Sequence, residues 1–109
     1  MAKGKGLWEI LVPKYSNTGE EYSLEHHRAW DEKIKEIAGG ITVLKTAKGQ
    51  WIDSQGRNFK DEMIPVRIYC SEESIDKIIE HTLVYYAQEA IMAYEISSRV
   101  KLVEKKNGI

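Results

Sequence analysis

The chain has 109 residues, with 16 Lys and Arg against 17 Asp and Glu, a formal net charge of −1 and a single cysteine. That length fits one domain, which buries roughly 65% of the surface exposed by the unfolded chain, so a core can form without metal or disulfides. The composition excludes an intramolecular disulfide framework. It lacks the basic excess of a dedicated nucleic-acid binder, and no apolar run is long enough to span a membrane.

Met1 to Gly6 reads as a flexible arm. Its MAKGKG sequence has two lysines but no apolar core behind them, so it is not a secretory signal, and a cytoplasmic location is expected. Leu7 to Val12 is the first strand, with Trp8, Ile10 and Val12 on one face. Leu7 and Leu11 lie on the other face, split by Glu9. Pro13 ends the strand. Lys14 to Tyr22 holds the turn cluster Ser16-Asn17-Thr18-Gly19, a loop free to move and to carry function.

Ser23 is the expected N-cap of a first helix, and Glu25 suits the positive end of its dipole. His27, Trp30, Ile34 and Ile37 recur three and four apart, which places them on one face. Gly39 and Gly40 end the helix, one of them in the left-handed conformation. Gly40 to Cys70 then reads as strand, turn and strand. Ile41, Val43 and Leu44 suit a pleated surface, and Gly49 suggests a bulge before Trp51 and Ile52. Asp53-Ser54-Gln55-Gly56 is a tight turn. Ile64, Val66, Ile68 and Cys70 alternate with Met63, Pro65, Arg67 and Tyr69, giving one apolar face. Pro65 cannot donate a ladder hydrogen bond, so it implies an edge, a bulge or a strand start.

Ser71 caps a second helix, with Glu72 and Glu73 in its first turn. Ile75, Ile78, Ile79, Thr82, Tyr85 and Tyr86 supply its buried stripe. The helix is expected to end near Gln88, followed by an irregular or strand-like piece. Arg99 to Glu104 is taken as the last strand, and Lys105 to Ile109 as a charged tail. The order strand, helix, strand, strand, helix, strand is the ferredoxin-like plan. It is an α+β sandwich in one domain over residues 7–104, with a four-stranded antiparallel sheet and both helices on one face. Leu7, Leu11, Leu44, Tyr69 and Val103 then fall on the uncovered face, and an apolar patch there would mark an interface.

Three sets of short runs carry a resemblance. They are Gly40-Ile41-Thr42-Val43-Leu44, then Gly49-Gln50-Trp51-Ile52-Asp53 with Gly56-Arg57 and Glu62, then Tyr86-Ala87-Gln88-Glu89-Ala90-Ile91. In these the chain resembles an uncharacterised bacterial family of small ferredoxin-like proteins, a domain of unknown function. The resemblance implies the fold and no reaction.

Candidate chemistry is sparse. His26 and His27 are adjacent, so on a helix they point about 100° apart and cannot both serve one metal. His81 has no ligand at metal spacing, and neither Glu25 nor Asp31 completes a metal motif. Structural histidines are the simpler reading, and no metal or cofactor is expected. Cys70 falls on the apolar strand face, where a cysteine behaves as a small hydrophobe. Gln88 and Glu89 sit where the second helix ends. A carboxylate there could act as acid or base, while the plainer reading has the pair tying the helix end to a neighbouring loop. Asp53, Arg57, Glu62 and Arg67 share the hairpin as a carboxylate–guanidinium group or as a solvated face. Trp51 closes the core or anchors a partner. No phosphate loop, dinucleotide fingerprint, nucleophile elbow or RNA-recognition motif is present.

The leading expectation is a homo-oligomeric binding module, a dimer through the open sheet face. It would bind a protein or small ligand through Trp51, Asp53, Arg57 and Tyr69, without nucleic acid or membrane. The alternative is a small enzyme of the dimeric α+β barrel type acting on a small organic substrate, with Glu89, Gln88, Tyr94 and His27 as its catalytic candidates. A small phage-like protein, encoded by a mobile element and blocking a host protein, is neither supported nor excluded by the sequence.

Overall fold

A computed structural model describes residues 4–52, 54–56 and 58–105, without the side chains of residues 51 and 58–60. The elements run β1 (Lys5–Pro13), α1 (Leu24–Ala38), β2 (Thr42–Val43), β3 (Ala47–Ile52), β4 (Asn58–Ser71), α2 (Glu72–Tyr85) and β5 (Ala93–Ser97). All strand pairs are antiparallel. The sheet runs β2-β4-β1-β5, with β3 also on β4. This is the ferredoxin-like α+β fold, its second strand broken into β2 and β3. Among the described residues no helix is long and apolar enough to cross a membrane.

Alternation sets the two faces of the sheet. Ile10 and Val12 from β1 and Val66, Ile68 and Cys70 from β4 point to one side. There they pack against Trp30 and Ile34 of α1 and Ile75 and Ile78 of α2. Thr82 is the buried polar member. Its hydroxyl accepts from Trp30 Nε1 at 3.0 Å and donates to the Ile78 carbonyl at 2.6 Å, so burying it leaves no bond unmade. Burial holds the Cys70 thiol above its ordinary range, as suits a cysteine that packs rather than reacts.

The helix starts are those the sequence predicts. Ser23 Oγ accepts from His26 N and Ser71 Oγ from Ser74 N, each at 3.1 Å. Gly39, at φ 88°, closes α1. The end of α2 differs from expectation: the helix stops at Tyr85, and its left-handed terminal position is taken by Ala87 at φ 48°. Ala87 N–H reaches the Val84 carbonyl and Gln88 N–H the Leu83 carbonyl. These bonds satisfy carbonyls that a helix end would otherwise orphan.

The last strand also differs. Ala93–Ser97, not Arg99 to Glu104, pairs with β1. Residues 98–105 form no strand, and Leu102 and Val103 are 76% and 85% exposed, so Val103 does not belong to the sheet face. The alternation of Ala93, Tyr94, Glu95 and Ile96 is the signal that won.

Pro65 is neither at an edge nor at a strand start. It lies inside β4, opposite Leu11. Its carbonyl accepts from Leu44 N at 2.9 Å, and in an extended strand a residue's N–H and C=O point to the same side. The missing donor therefore faces Leu44 to Thr46, the gap between β2 and β3. The irregularity expected at the proline has been passed to its neighbour.

Beyond Met63 the β3–β4 pairs leave β1 behind, and the hairpin projects. The molecule measures 58 × 31 × 24 Å with a radius of gyration of 15.9 Å, against about 13 Å for a compact chain of this length. The strain at Ala87 is testable. Ala87→Gly relieves about 1–2 kcal/mol of left-handed cost and adds about 0.4–1 kcal/mol of unfolded-state entropy. Urea denaturation should show a net gain of about 0.5–1 kcal/mol; a loss would show that the conformation is not strained.

Candidate functional site

Two adjoining features lie away from the helices. The first is on the open face. Glu9, in the middle of β1, is only 7% exposed. It sits opposite Arg67 on β4 and Tyr94 on β5. Arg67 Nε donates to Glu9 Oε1 at 3.0 Å, and the Tyr94 hydroxyl donates to Oε2. A buried carboxylate needs this many donors, since an unpaired one would be strongly disfavoured. Half-buried Leu7, Leu11 and Tyr69 surround the group, and the Lys5 ammonium lies 5.7 Å from the Tyr69 ring centre.

The second feature is a cleft of about 1020 Å³ at the end of this face. Its walls come from Leu11 and Pro13, the Tyr15–Gly19 segment, Asp61 to Met63, and the stretch leading into β5. The β1–α1 loop, expected to be free, is held closed. Tyr15 bridges Glu21, Ser16 N–H donates to the Glu20 carbonyl, and Ser16 Oγ accepts from the Thr18 and Glu20 amides. Asn17 Nδ2 then reaches across to the Ala87 carbonyl at 2.8 Å. Gln88 Nε2 donates to the Tyr86 carbonyl at 3.0 Å, which also accepts from the Tyr22 hydroxyl at 2.7 Å. Gln88 thus ties the helix end to its own backbone and lines the cleft.

The remaining predicted residues fall elsewhere. Glu89 is exposed and does not line the cleft. His27 lies against α2, its Nδ1 2.6 Å from the Tyr86 hydroxyl. It belongs to an aromatic group in which Tyr22 stacks on His26 at 4.7 Å and His26 lies 4.3 Å from Tyr85. Burial, then the neighbouring His26, hold His27 below its ordinary pKa of 6.5. Burial pushes the Tyr86 phenol far up, so it stays protonated, and its hydroxyl shares one hydrogen bond with the His27 ring nitrogen. The four catalytic candidates are therefore not one constellation. Gln88 is in the cleft, Tyr94 is on Glu9, His27 is in the aromatic group and Glu89 is in solvent. Of the binding candidates, Tyr69 is on the open face. Asp53 and Arg57 lie outside the described residues, as does the side chain of Trp51. Among the described residues Glu62 is met by Lys14 and Lys48, each at 4.0 Å. Among the described residues no group of three or more His, Cys, Asp and Glu is placed to hold a metal ion.

Sequence reading missed Glu9, Asn17 and Asp61. The signal for Glu9 was present: a charge centred between Leu7 and Leu11, with Arg67 at an outward position of the strand predicted to pair nearby.

No protein-family model matches the chain, and no curated protein matches it in sequence. Solved structures share its fold. CutA1 from Oryza sativa is 12% identical with a TM-score of 0.68, covering 93% of this chain and 85% of that one. The divalent cation tolerance protein CutA1 from Thermus thermophilus is 13% identical with a TM-score of 0.62, covering 94% and 87%. A phage SAM lyase in complex with S-methyl-5′-thioadenosine is 13% identical with a TM-score of 0.62, covering 94% and 97%. The likeness at these identities is one of fold.

Two outcomes follow from the geometry. Arg67→Met leaves the Glu9 carboxylate with Tyr94 alone and should cost about 2 kcal/mol in chemical denaturation. Glu9→Gln keeps an acceptor oxygen for Arg67 and turns its amide N–H to the Tyr94 hydroxyl, which can accept, so it should cost less; equal losses would show that Arg67 does not hold a buried charge. For His27 the neutral form is favoured in the folded state, while the unfolded side chain titrates near 6.5. Its contribution is present above that pH and is lost as pH falls through 6.5 toward the folded value. Wild type should therefore lose stability relative to His27→Gln between about pH 8 and about pH 5.5; parallel curves would contradict this.

Proposed function

We propose that the chain is a self-associating binding module that covers its open sheet face with a second copy and takes a small ligand in the adjoining cleft. The observation that carries this is Glu9: its carboxylate is 7% exposed at the centre of a face that no helix covers. A solvated face would present that charge to water. Here half-buried Leu7, Leu11 and Tyr69 rim it, and Met92, Tyr94 and Ile96, at 51%, 40% and 41% exposure, extend an apolar margin along the edge. Exposed apolar groups gathered in this way suit contact with another chain. The projecting β3–β4 hairpin offers a second surface of the same use. The phage lyase is one instance of the fold with a small molecule bound, and a cleft of this size falls at the upper end of ligand sites. The likeness of the Gly40–Leu44, Gly49–Arg57 and Gln88–Glu89 runs to a family of unknown function is carried with this proposal, as are a cytoplasmic location and an absence of nucleic-acid partners.

Leu7→Glu places a charge on the open face without touching the helix-packed core. Sedimentation velocity should show wild type as an oligomer and Leu7→Glu as a folded monomer. A monomeric wild type at high micromolar concentration would sink the proposal.

A second reading, a small enzyme, is favoured by the Tyr94 hydroxyl on the Glu9 carboxylate, a pair able to hold and move a proton one strand position from the cleft. The phage SAM lyase supplies a substrate to try. Incubation with SAM, with release of S-methyl-5′-thioadenosine followed by chromatography, should show product that Glu9→Gln or Tyr94→Phe abolishes. No release from wild type removes this reading and leaves the binding module.

A further inference from the structure

We infer that the cleft selects an organic cation with an apolar body, such as an alkylammonium or sulfonium compound, over neutral and anionic molecules of the same shape. The inference rests on the cleft being the ligand site proposed above. The apolar part is supplied by Leu11, Pro13, Tyr15, Met63, Ile91 and Met92. The polar part is one-sided. Among the described residues no lysine, arginine or histidine lines the cleft, while Asp61 and Glu62 do. Among the same residues no cation pairs with Asp61, and Glu62 is only loosely met by Lys14 and Lys48 at 4.0 Å.

The two amides sharpen the asymmetry. Asn17 and Gln88 each direct the side-chain nitrogen to a main-chain carbonyl, of Ala87 and Tyr86 respectively. Because oxygen and nitrogen sit on opposite arms of an amide, this leaves Oδ1 and Oε1 as the acceptors on offer. The Ser16 hydroxyl is engaged with Thr18 and Glu20. A ligand therefore meets two carboxylates and the amide oxygens, with the second amide N–H groups and the Tyr15 hydroxyl as the neutral side-chain donors, a lining that repels anions and leaves a neutral apolar molecule without a polar partner.

An independent observation points the same way. The chain's own Lys14 ammonium, 3.7 Å from Glu21, also lies 5.8 Å from the Tyr15 ring centre and 4.0 Å from Glu62, both of which line the cleft. A cation over an aromatic face beside a carboxylate is the arrangement by which quaternary ammonium groups are recognised. Lys14 shows that this corner accepts a positive charge.

The test uses three small phenyl compounds on the full chain: phenyltrimethylammonium, its neutral isostere tert-butylbenzene, and the smaller planar anion benzoate. Each is titrated into isotope-labelled protein and followed by amide chemical shifts. Phenyltrimethylammonium should shift Leu11, Tyr15, Met63 and Ile91, binding at least fivefold more tightly than either other probe. Asp61→Asn should weaken it at least threefold while leaving tert-butylbenzene unchanged. Asp61 is exposed, so this variant keeps the fold; Lys14→Met, which relieves Glu62 of one lysine, should tighten the cation. Equal or tighter binding of benzoate or tert-butylbenzene at these residues would keep the cleft as a site and overturn its selectivity. Shifts from none of the three would overturn the cleft as a ligand site, and with it that part of the proposed function.

Discussion

A carboxylate buried in the middle of a strand, on the face of the sheet that the helices do not cover, constrains this molecule more than any other single group. Glu9 can stay there only because two neighbouring strands deliver donors to it, Arg67 from β4 and Tyr94 from β5. Loss of either strand's register would move its donor to the opposite face, since a one-residue slip inverts every side chain. The carboxylate therefore fixes the relation of three strands at once. It also makes the open face something other than a solvated surface, because a charge held this way costs desolvation that water contact would have avoided.

A second constraint shapes the cleft. Pro65 cannot donate toward the second strand, and that strand breaks at Leu44 to Thr46 before resuming as β3. At the other end of the sheet, α2 stops at Tyr85 with Ala87 in a left-handed conformation. The Tyr86 carbonyl, a helix-end acceptor with no partner in the helix, collects the Tyr22 hydroxyl and the Gln88 amide. Asn17 takes the next carbonyl. A backbone obligation at a helix end thus pins the β1–α1 loop against the lead-in to β5, and the space between them is the cleft.

Much of the fold was legible in the sequence. Ser23, Ser71 and Gly39 announced the helix ends, and the alternation of Ile64, Val66, Ile68 and Cys70 announced the buried side of β4. Those signals are local, set by caps and by a period of two. The last strand was displaced because Arg99 to Glu104 and Ala93 to Ser97 both alternate, and only pairing with β1 decides between them. Pro65 announced an irregularity, but its missing donor is a demand on its neighbour, and one strand read alone does not say which neighbour yields. The site was less legible. Gln88 and Tyr94 were named from the sequence and lie in the cleft and on Glu9, but Glu9 looked like a break in an apolar strand face until Arg67 and Tyr94 stood beside it. Asn17 and Asp61 depend on contacts across the chain, 70 residues apart for Asn17 and Ala87, which no local pattern encodes.

The most direct measurement is native mass spectrometry of the protein as purified from cells. A whole-number multiple of the chain mass, with additional mass from a retained small molecule, is the expected result. It would join the covered sheet face and the occupied cleft in one assembly. A bare single-chain mass that persists at high protein concentration would contradict it, and would leave Glu9 buried for the fold of one chain alone.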